Sequence, residues 1–186
     1  MRLTLKRHPD SLCRAATRID VEVARPGPAR LMLSYAVTGA IGDLRLPPLT
    51  APARTDELWR HTCFEAFVRA RPGEAYYEFN FAPSMEWAAY RFDGYRSGMR
   101  VATEIAAPRI EVQTSLDCYT LRAALALPCS LPSSASGRGK GRGWRLGLAA
   151  VIEETSGNKS YWALAHPAGK PDFHRSDCFA LEFSQA

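Results

Sequence analysis

Residues 62–81 decide the fold, and they read TCFEAFVRARPGEAYYEFNF. Apolar and polar side chains alternate on either side of a central Arg-Pro-Gly-Glu, which is typical of two strands joined by a turn. Placing Arg71 opposite Glu74 predicts a register with these facing pairs: Phe64 and Phe81, Ala66 and Phe79, Val68 and Tyr77, Glu65 and Asn80, Phe67 and Glu78. The first three pairs form an apolar face and the last two a polar face, so the segment predicts a β-hairpin with a defined register.

The same two-residue period continues along the rest of the chain. It predicts further strands at residues 19–23, 31–37, 87–92, 110–114, 119–127, 144–152 and 178–183. Pro, Gly, Asp and Asn separate these segments at the spacing of a sandwich or barrel, and no long segment carries a helical stripe. We therefore predict an all-β fold, a single antiparallel β-sandwich of the jelly-roll or immunoglobulin-like kind.

Residues 128–143 break this pattern with the sequence PCSLPSSASGRGKGRG. Gly and Ser at this density predict a flexible surface loop. Too few residues follow the loop to build a second hydrophobic core. We therefore expect residues 1–186 to form one domain with a flexible Gly/Ser/Arg loop at about residues 128–143.

The charge of the chain argues against a nucleic-acid partner. Its formal net charge is +5. Much of that excess comes from one cluster, which consists of Arg138, Lys140, Arg142 and Arg145. A nucleic-acid-binding domain usually presents a basic face with interleaved aromatic residues, and the sequence shows none.

The five cysteines point to a reducing compartment. The count is odd and no Cys-x-x-Cys pair occurs, which argues against a zinc site. The first residues contain no apolar run of signal-peptide length, and no segment has the roughly 20 apolar residues of a membrane span. We expect a cytoplasmic protein with free thiols, no bound metal and no membrane partner.

The polar face of the hairpin is the candidate functional surface. It carries Glu65, Glu78 and Asn80, and Trp59, Trp87 and Arg91 lie nearby in the sequence. Aromatic rings stack on the apolar face of a sugar, while carboxylates, amides and arginine bond to its hydroxyls. The alternative is an ordinary solvated face of an antiparallel sheet.

Several segments resemble bacterial DOMON-like domains and the related family 9 carbohydrate-binding-type domains. The segments are WRHTCFEAFV at 59–68, YYEFNFAPS at 76–84, AVIEE at 150–154, SYWAL at 160–164 and DFHRSDCF at 172–179. The resemblance implies a jelly-roll-like sandwich of the DOMON type, whose relatives bind either sugars or haem.

In the sugar-binding relatives, two tryptophan rings hold the ligand, with an acidic residue and an arginine on its hydroxyls. Trp59 and Glu65 match this pattern by their spacing, and Arg91 is a candidate third member. Trp87 and Trp162 are both candidates for the second ring. The full candidate ligand-binding set is Trp59, Glu65, Glu78, Asn80, Trp87, Arg91, Trp162 and His174.

Other functions are open at this point. In the haem-binding relatives a Met and a His ligate iron, which here would pair Met85 or Met99 with His61 or His174. A protein-interaction module without a small ligand is a further alternative. Glu65 and Glu78 as a glycosidase pair are disfavoured, since no cleft-forming domain accompanies them. We therefore predict non-catalytic binding of a small ligand, a carbohydrate or glycan fragment first, without a cofactor.

Overall fold

The computed structural model describes residues 1–27, 29–71, 73–128 and 143–184. The predicted flexibility of the loop at 128–143 falls almost wholly on residues outside these ranges. Within them the chain forms twelve strands: β1 (Arg2–Arg7), β2 (Ala16–Gly27), β3 (Arg30–Gly39), β4 (Cys63–Ala70), β5 (Tyr76–Phe81), β6 (Trp87–Phe92), β7 (Arg100–Val101), β8 (Arg109–Thr114), β9 (Cys118–Ala126), β10 (Gly143–Glu153), β11 (Lys159–Ala163) and β12 (Leu181–Ser184).

Helices in the described ranges are limited to three short 3₁₀ segments. They lie at Ile41–Asp43, Leu58–Arg60 and Ser176–Cys178. This confirms the expected all-β fold with almost no helix. It also means that no helix in the described part of the chain is long or apolar enough to cross a membrane.

The strands form one curled antiparallel sheet. Their order is β7-β6-β5-β4-β10-β11-β1-β2-β3-β9-β8, and β12 pairs with the first residues of β10. Strand β1 joins two halves, because Arg2 to Leu5 pair with β2 whereas Lys6 and Arg7 pair with β11. We call them the β2 half (β1, β2, β3, β9, β8) and the β4 half (the other strands). This continuity differs from the separate sheets of the expected single sandwich.

The main core lies between the two halves. The Tyr35 hydroxyl of β3 donates to the carbonyl of Glu65 in β4 at 2.7 Å. The rings of Phe64 and Tyr119 stack with centroids 6.0 Å apart. Alternate residues of each strand point into this space because successive side chains of a strand lie on opposite faces. The inner faces of both halves are therefore buried against each other.

The predicted hairpin register is confirmed. All five predicted pairs are present between β4 and β5, from Phe64 with Phe81 to Val68 with Tyr77. Phe64, Ala66 and Val68 belong to the main core, as the apolar face requires. The turn sequence and the alternation of side chains were enough to predict this register, because both lie within the same twenty residues.

The outer face of the β4 half is covered as well, so it is not the solvated face considered from the sequence. A second apolar cluster lies on it, and its members include Phe67, Tyr90, Phe173 and Phe179. Three segments form the cover, residues 56–61, 93–98 and 172–179. The last was predicted in part as a strand from Cys178; instead a 3₁₀ segment ends there, and β12 starts at Leu181.

Gly147 permits the close approach of the third covering segment. A Cβ atom at this position would lie 3.1 Å from the carbonyl oxygen of Cys178 and 3.4 Å from Cβ of Phe67. Few real Cβ contacts are that short, so the glycine lets residues 172–179 pack directly against β10.

Candidate functional site

The candidate site lies on the outer face of the β4 half, around Glu65. In one row across the sheet, Glu65 stands between Ala149 of β10 and Asn80 of β5, and Asn80 is followed by Ala88 of β6. In the next row Phe67 stands beside Glu78. Because small alanines flank Glu65 and Asn80, this row is lower than the neighbouring rows, which carry bulkier side chains.

Three polar residues from the predicted set meet in this place. The side-chain amide of Asn80 donates to Oε1 of Glu78 at 2.8 Å, and the Cys63 thiol lies 3.8 Å from Oδ1 of Asn80. Glu65, Glu78 and Asn80 are all buried. Oε1 of Glu65 has no hydrogen-bond partner within the described part of the chain. A buried carboxyl oxygen without a hydrogen-bond partner costs free energy and is unusual in native proteins.

The two carboxyl groups favour their neutral forms. Burial raises the pKa of Glu65 well above 4.5, and the nearby Glu78 raises it further, while Arg96 opposes both effects. Burial also raises the pKa of Glu78 to about 7, against the hydrogen bond from Asn80 and the charge of Arg96. The low-dielectric surroundings disfavour two adjacent negative charges, so the pair carries less than its full charge at neutral pH.

His174 closes one side of the site. Its Nδ1 lies 2.7 Å from the Tyr76 hydroxyl, and its Nε2 lies 3.7 Å from Oε2 of Glu78. Burial, with the charge of Arg96, lowers the pKa of His174 to about 4. The imidazole is therefore neutral at pH 7. A neutral imidazole carries one proton, so one of its nitrogens donates a hydrogen bond and the other accepts one.

Arg96 is a site residue that sequence reasoning missed. Its guanidinium donates to Asp172 at 2.9 Å, and Asp172 also accepts the hydroxyl of Tyr95 at 2.5 Å. Arg96 adopts a positive φ of 49°, which few non-glycine residues do. Its positive charge lowers the pKa values of Glu65, Glu78 and His174. Only the segment Gly-Tyr-Arg-Ser-Gly, typical of a tight turn beside the site, hinted at this role in the sequence.

Trp59 lies against the outer-face cluster, beside Tyr90. Its half-buried ring meets Tyr90 edge to face, with centroids 5.7 Å apart. Tyr90 is held in place because its hydroxyl donates to Asp56 at 2.7 Å. Trp59 thus packs against the outer-face cluster rather than plugging the main core.

Three predicted site residues lie elsewhere. Trp87 and Trp162 are buried in the main core, on the inner face. Trp87 pairs with inward-facing Phe81 and Trp162 with inward-facing Ala150, so their ring positions follow from the register. Arg91 faces inward too, with its guanidinium 5.9 Å from the Tyr77 ring centroid. None of the three meets Glu65, which corrects their assignment to the site.

The residues considered for haem ligation do not converge. Met85 packs against the main core, while His174 lies on the outer face with Nδ1 beside Tyr76. Nδ1 of His61 is bound to the carboxylate of Glu153 at 2.7 Å. Met99 is exposed. The sheet thus separates Met85 from His174, and these positions favour no Met–His pair.

Two cavities are relevant to ligand binding. One of about 260 Å³ adjoins the site, and Tyr76 and His174 form the wall between it and Glu78. A larger groove of about 1040 Å³ runs over the outer face of the β2 half, past Glu22 and Met32. The described residues that line this groove include no aromatic ring, so it offers no stacking platform for a sugar.

Comparison with protein-family models finds no match, and neither does comparison with curated proteins. Among solved structures, a candidate carbohydrate-binding protein from Bacteroides uniformis is similar with a TM-score of 0.66 at 13% identity. The match covers 96% of this chain and 83% of that chain. At this identity the likeness shows a shared all-β fold.

Two further similar structures are family 9 carbohydrate-binding modules from Caldicellulosiruptor kristjanssonii. One, in complex with cellotriose, has a TM-score of 0.45 at 12% identity and covers 86% of this chain and 70% of that chain. The other, in complex with glucose, has a TM-score of 0.43 at 12% identity and covers 89% and 76%. These scores are too low to carry an argument about this chain.

Proposed function

We propose that this chain is a non-catalytic carbohydrate-binding protein whose site is the outer face around Glu65. The observation that carries the proposal is the buried Oε1 atom of Glu65, which lacks a donor in the described structure. A sugar hydroxyl is a donor of suitable size. Its hydrogen bond to Oε1 would remove the cost of the unpaired oxygen.

The surroundings of Glu65 fit a sugar better than a purely apolar ligand. Trp59 supplies an aromatic ring at the rim, where a pyranose ring would stack by its apolar face. Glu78, Asn80 and Arg96 supply further acceptors and donors within the same area. Such a small number of oriented polar groups among aromatic rings is typical of small-ligand sites.

The covering segments bear on how a ligand enters. Glu65 is only 3% exposed, so a sugar must displace part of the cover to reach it. The contact between Arg96 and Asp172 joins two of the covering segments, and its arginine is half exposed. Because Arg96 is open to solvent on its outer side, we propose that this contact opens on binding.

The likeness to the Bacteroides uniformis protein supports this proposal, since that protein is itself a candidate for carbohydrate binding. On the same grounds we propose that the curled sheet is a DOMON-type variant of the sandwich fold.

Calorimetric titration with glucose, xylose, cellobiose and cellotriose tests the proposal. Wild-type protein is expected to bind at least one of them. Trp59→Ala should then weaken binding by about 2 kcal/mol, as the loss of a stacking aromatic does. Glu65→Met removes the acceptor at nearly constant length and should cost roughly 1–3 kcal/mol of binding.

Glu22→Gln is the matched control for Glu65→Met, because Glu22 lines the groove of the β2 half. This variant should bind as the wild type does. If Glu22→Gln weakened binding while the two site variants left it unchanged, the sugar would bind in the groove and the proposed site would be wrong. A red protein with a Soret band would instead favour haem.

A further inference from the structure

We propose that the 260 Å³ cavity beside the site binds the anionic group, a carboxylate or a phosphate, of an acidic sugar. The cavity is lined by Arg69, Glu74, Tyr95, Arg175 and Ser176, together with the wall residues that separate it from Glu78. The inference rests on the proposed function for the sugar ring. It adds a charge preference that Glu65 and Trp59 do not provide.

Arg69 is the main observation. Its side chain is only 9% exposed, and its guanidinium carbon lies 4.9 Å from the ring centroid of Phe179. The hydrogen bond that the described structure gives it goes to Glu74 at 3.3 Å, and the Glu74 side chain is 79% exposed. A guanidinium has five donor hydrogens, so most of the donors of Arg69 remain available to solvent or to a ligand in the cavity that it lines.

Positive charge is in excess around Arg69, because its neighbours Arg71 and Arg145 share one carboxylate, that of Glu182. Arg145 stands directly opposite Arg69 on the adjacent strand and on the same face of the sheet. Like charges at directly opposite positions destabilise a sheet. Burial lowers the pKa of Arg69, and the charges of Arg145 and Arg71 lower it further against the opposing effect of Glu74. A bound anion would offset this cost.

Other donors face the same cavity. Arg175 has Asp177 as its ion-pair partner at 3.6 Å, which is long for such a contact. Ser176 adds a hydroxyl group. Planar guanidinium groups bind carboxylate and phosphate oxygens in pairs, so Arg69 suits a ligand group with two or more oxygens.

The cavity has room for such a group with part of its sugar ring, since a water molecule occupies about 30 Å³ of liquid. Because Tyr76 and His174 separate the cavity from Glu78, the anion would lie one ring away from the buried carboxyl groups. The proposed ligand therefore places its charge at Arg69 and its hydroxyls toward Glu65.

Calorimetry with four probes tests the inference: glucose, glucuronate, glucose 6-phosphate and inorganic phosphate. Wild-type protein should bind glucuronate or glucose 6-phosphate about ten- to a hundredfold more tightly than glucose, as charge-assisted hydrogen bonds allow. A preference for one acidic sugar over the other distinguishes carboxylate from phosphate. Arg69→Gln should remove the preference, while Arg109→Gln, at an exposed position on β8 in the other half of the sheet, should retain it. Arg175→Gln should reduce the preference and serves if Arg69→Gln does not fold.

The outcomes separate this inference from the proposed function. Equal affinity for glucose and glucuronate, each weakened by Trp59→Ala, would overturn the inference and leave carbohydrate binding in place. An acidic preference that persists in Arg69→Gln would also overturn it. Binding of inorganic phosphate through Arg69 without binding of any sugar would contradict both the acidic-sugar ligand and the proposed function.

Discussion

Substitution of Glu65 by Gln should change how the stability of the protein depends on pH. In the folded protein the pKa of Glu65 is raised well above 4.5 by burial and by Glu78. In the unfolded chain the same group ionises near its ordinary value. Between the two pKa values folding therefore takes up a proton. The free energy of unfolding consequently falls as pH rises.

The size of the effect follows from the linkage relation. One proton taken up on folding lowers the free energy of unfolding by about 1.4 kcal/mol per pH unit. Glu78 and His174 largely cancel each other between about pH 4.5 and 6.5, because the pKa of Glu78 is raised to about 7 and that of His174 is lowered to about 4. Folding there moves one proton from the histidine to the carboxyl group.

Urea denaturation of the wild type and Glu65→Gln at pH 5, 6, 7 and 8 measures the difference. The variant should gain stability relative to the wild type as pH rises, by up to about 1.4 kcal/mol per unit until Glu65 ionises in the folded state. Glu22→Gln, at an exposed position, should run parallel to the wild type. If the Glu65→Gln curve also ran parallel, folding would not raise the pKa of Glu65. The carboxyl group would then not be buried as described, and the reasoning would be refuted.

Three further substitutions test the packing around the site by chemical denaturation. Gly147→Ala should cost roughly 1–3 kcal/mol, because the new Cβ would press on the carbonyl of Cys178, whereas Gly42→Ala, with no atom within 4 Å of its Cβ, should have little effect. Phe179→Ala should cost about 3–5 kcal/mol, since the ring is fully buried against the sheet; a cost below 1 kcal/mol would mean that residues 172–179 are not packed there. Trp87→Ala should cost a similar amount without changing sugar affinity in the folded fraction, and weakened binding would return Trp87 to the site.

The register of the central hairpin was predictable because its determinants are local. The turn at Arg71 to Glu74 and the alternation on either side act within twenty residues. The same rule, carried one strand further, would have placed Trp87 opposite Phe81 and hence in the main core. Trp87 was placed with the polar residues because it is near them in the sequence. The face of the strand on which its side chain lies was not considered.

The cover over Glu65 was not predictable in the same way. Phe179 and His174 lie about a hundred residues beyond Glu65 and Glu78, and period-two alternation says nothing about which distant segment packs on a polar face. The burial of these carboxyl groups, their raised pKa values and the role of Arg96 all depend on that cover. The sequence indicated that Glu65 and Glu78 share one face of the hairpin, but not the surroundings that alter their chemistry.

A crystal structure of the protein with the sugar that binds most tightly in the titrations would show whether the ligand reaches Glu65. We expect a sugar hydroxyl within hydrogen-bond distance, about 3 Å, of Oε1 of Glu65, with the ring of the sugar against Trp59. A sugar bound in the groove of the β2 half, or a protein donor already bonded to Oε1 of Glu65, would contradict it.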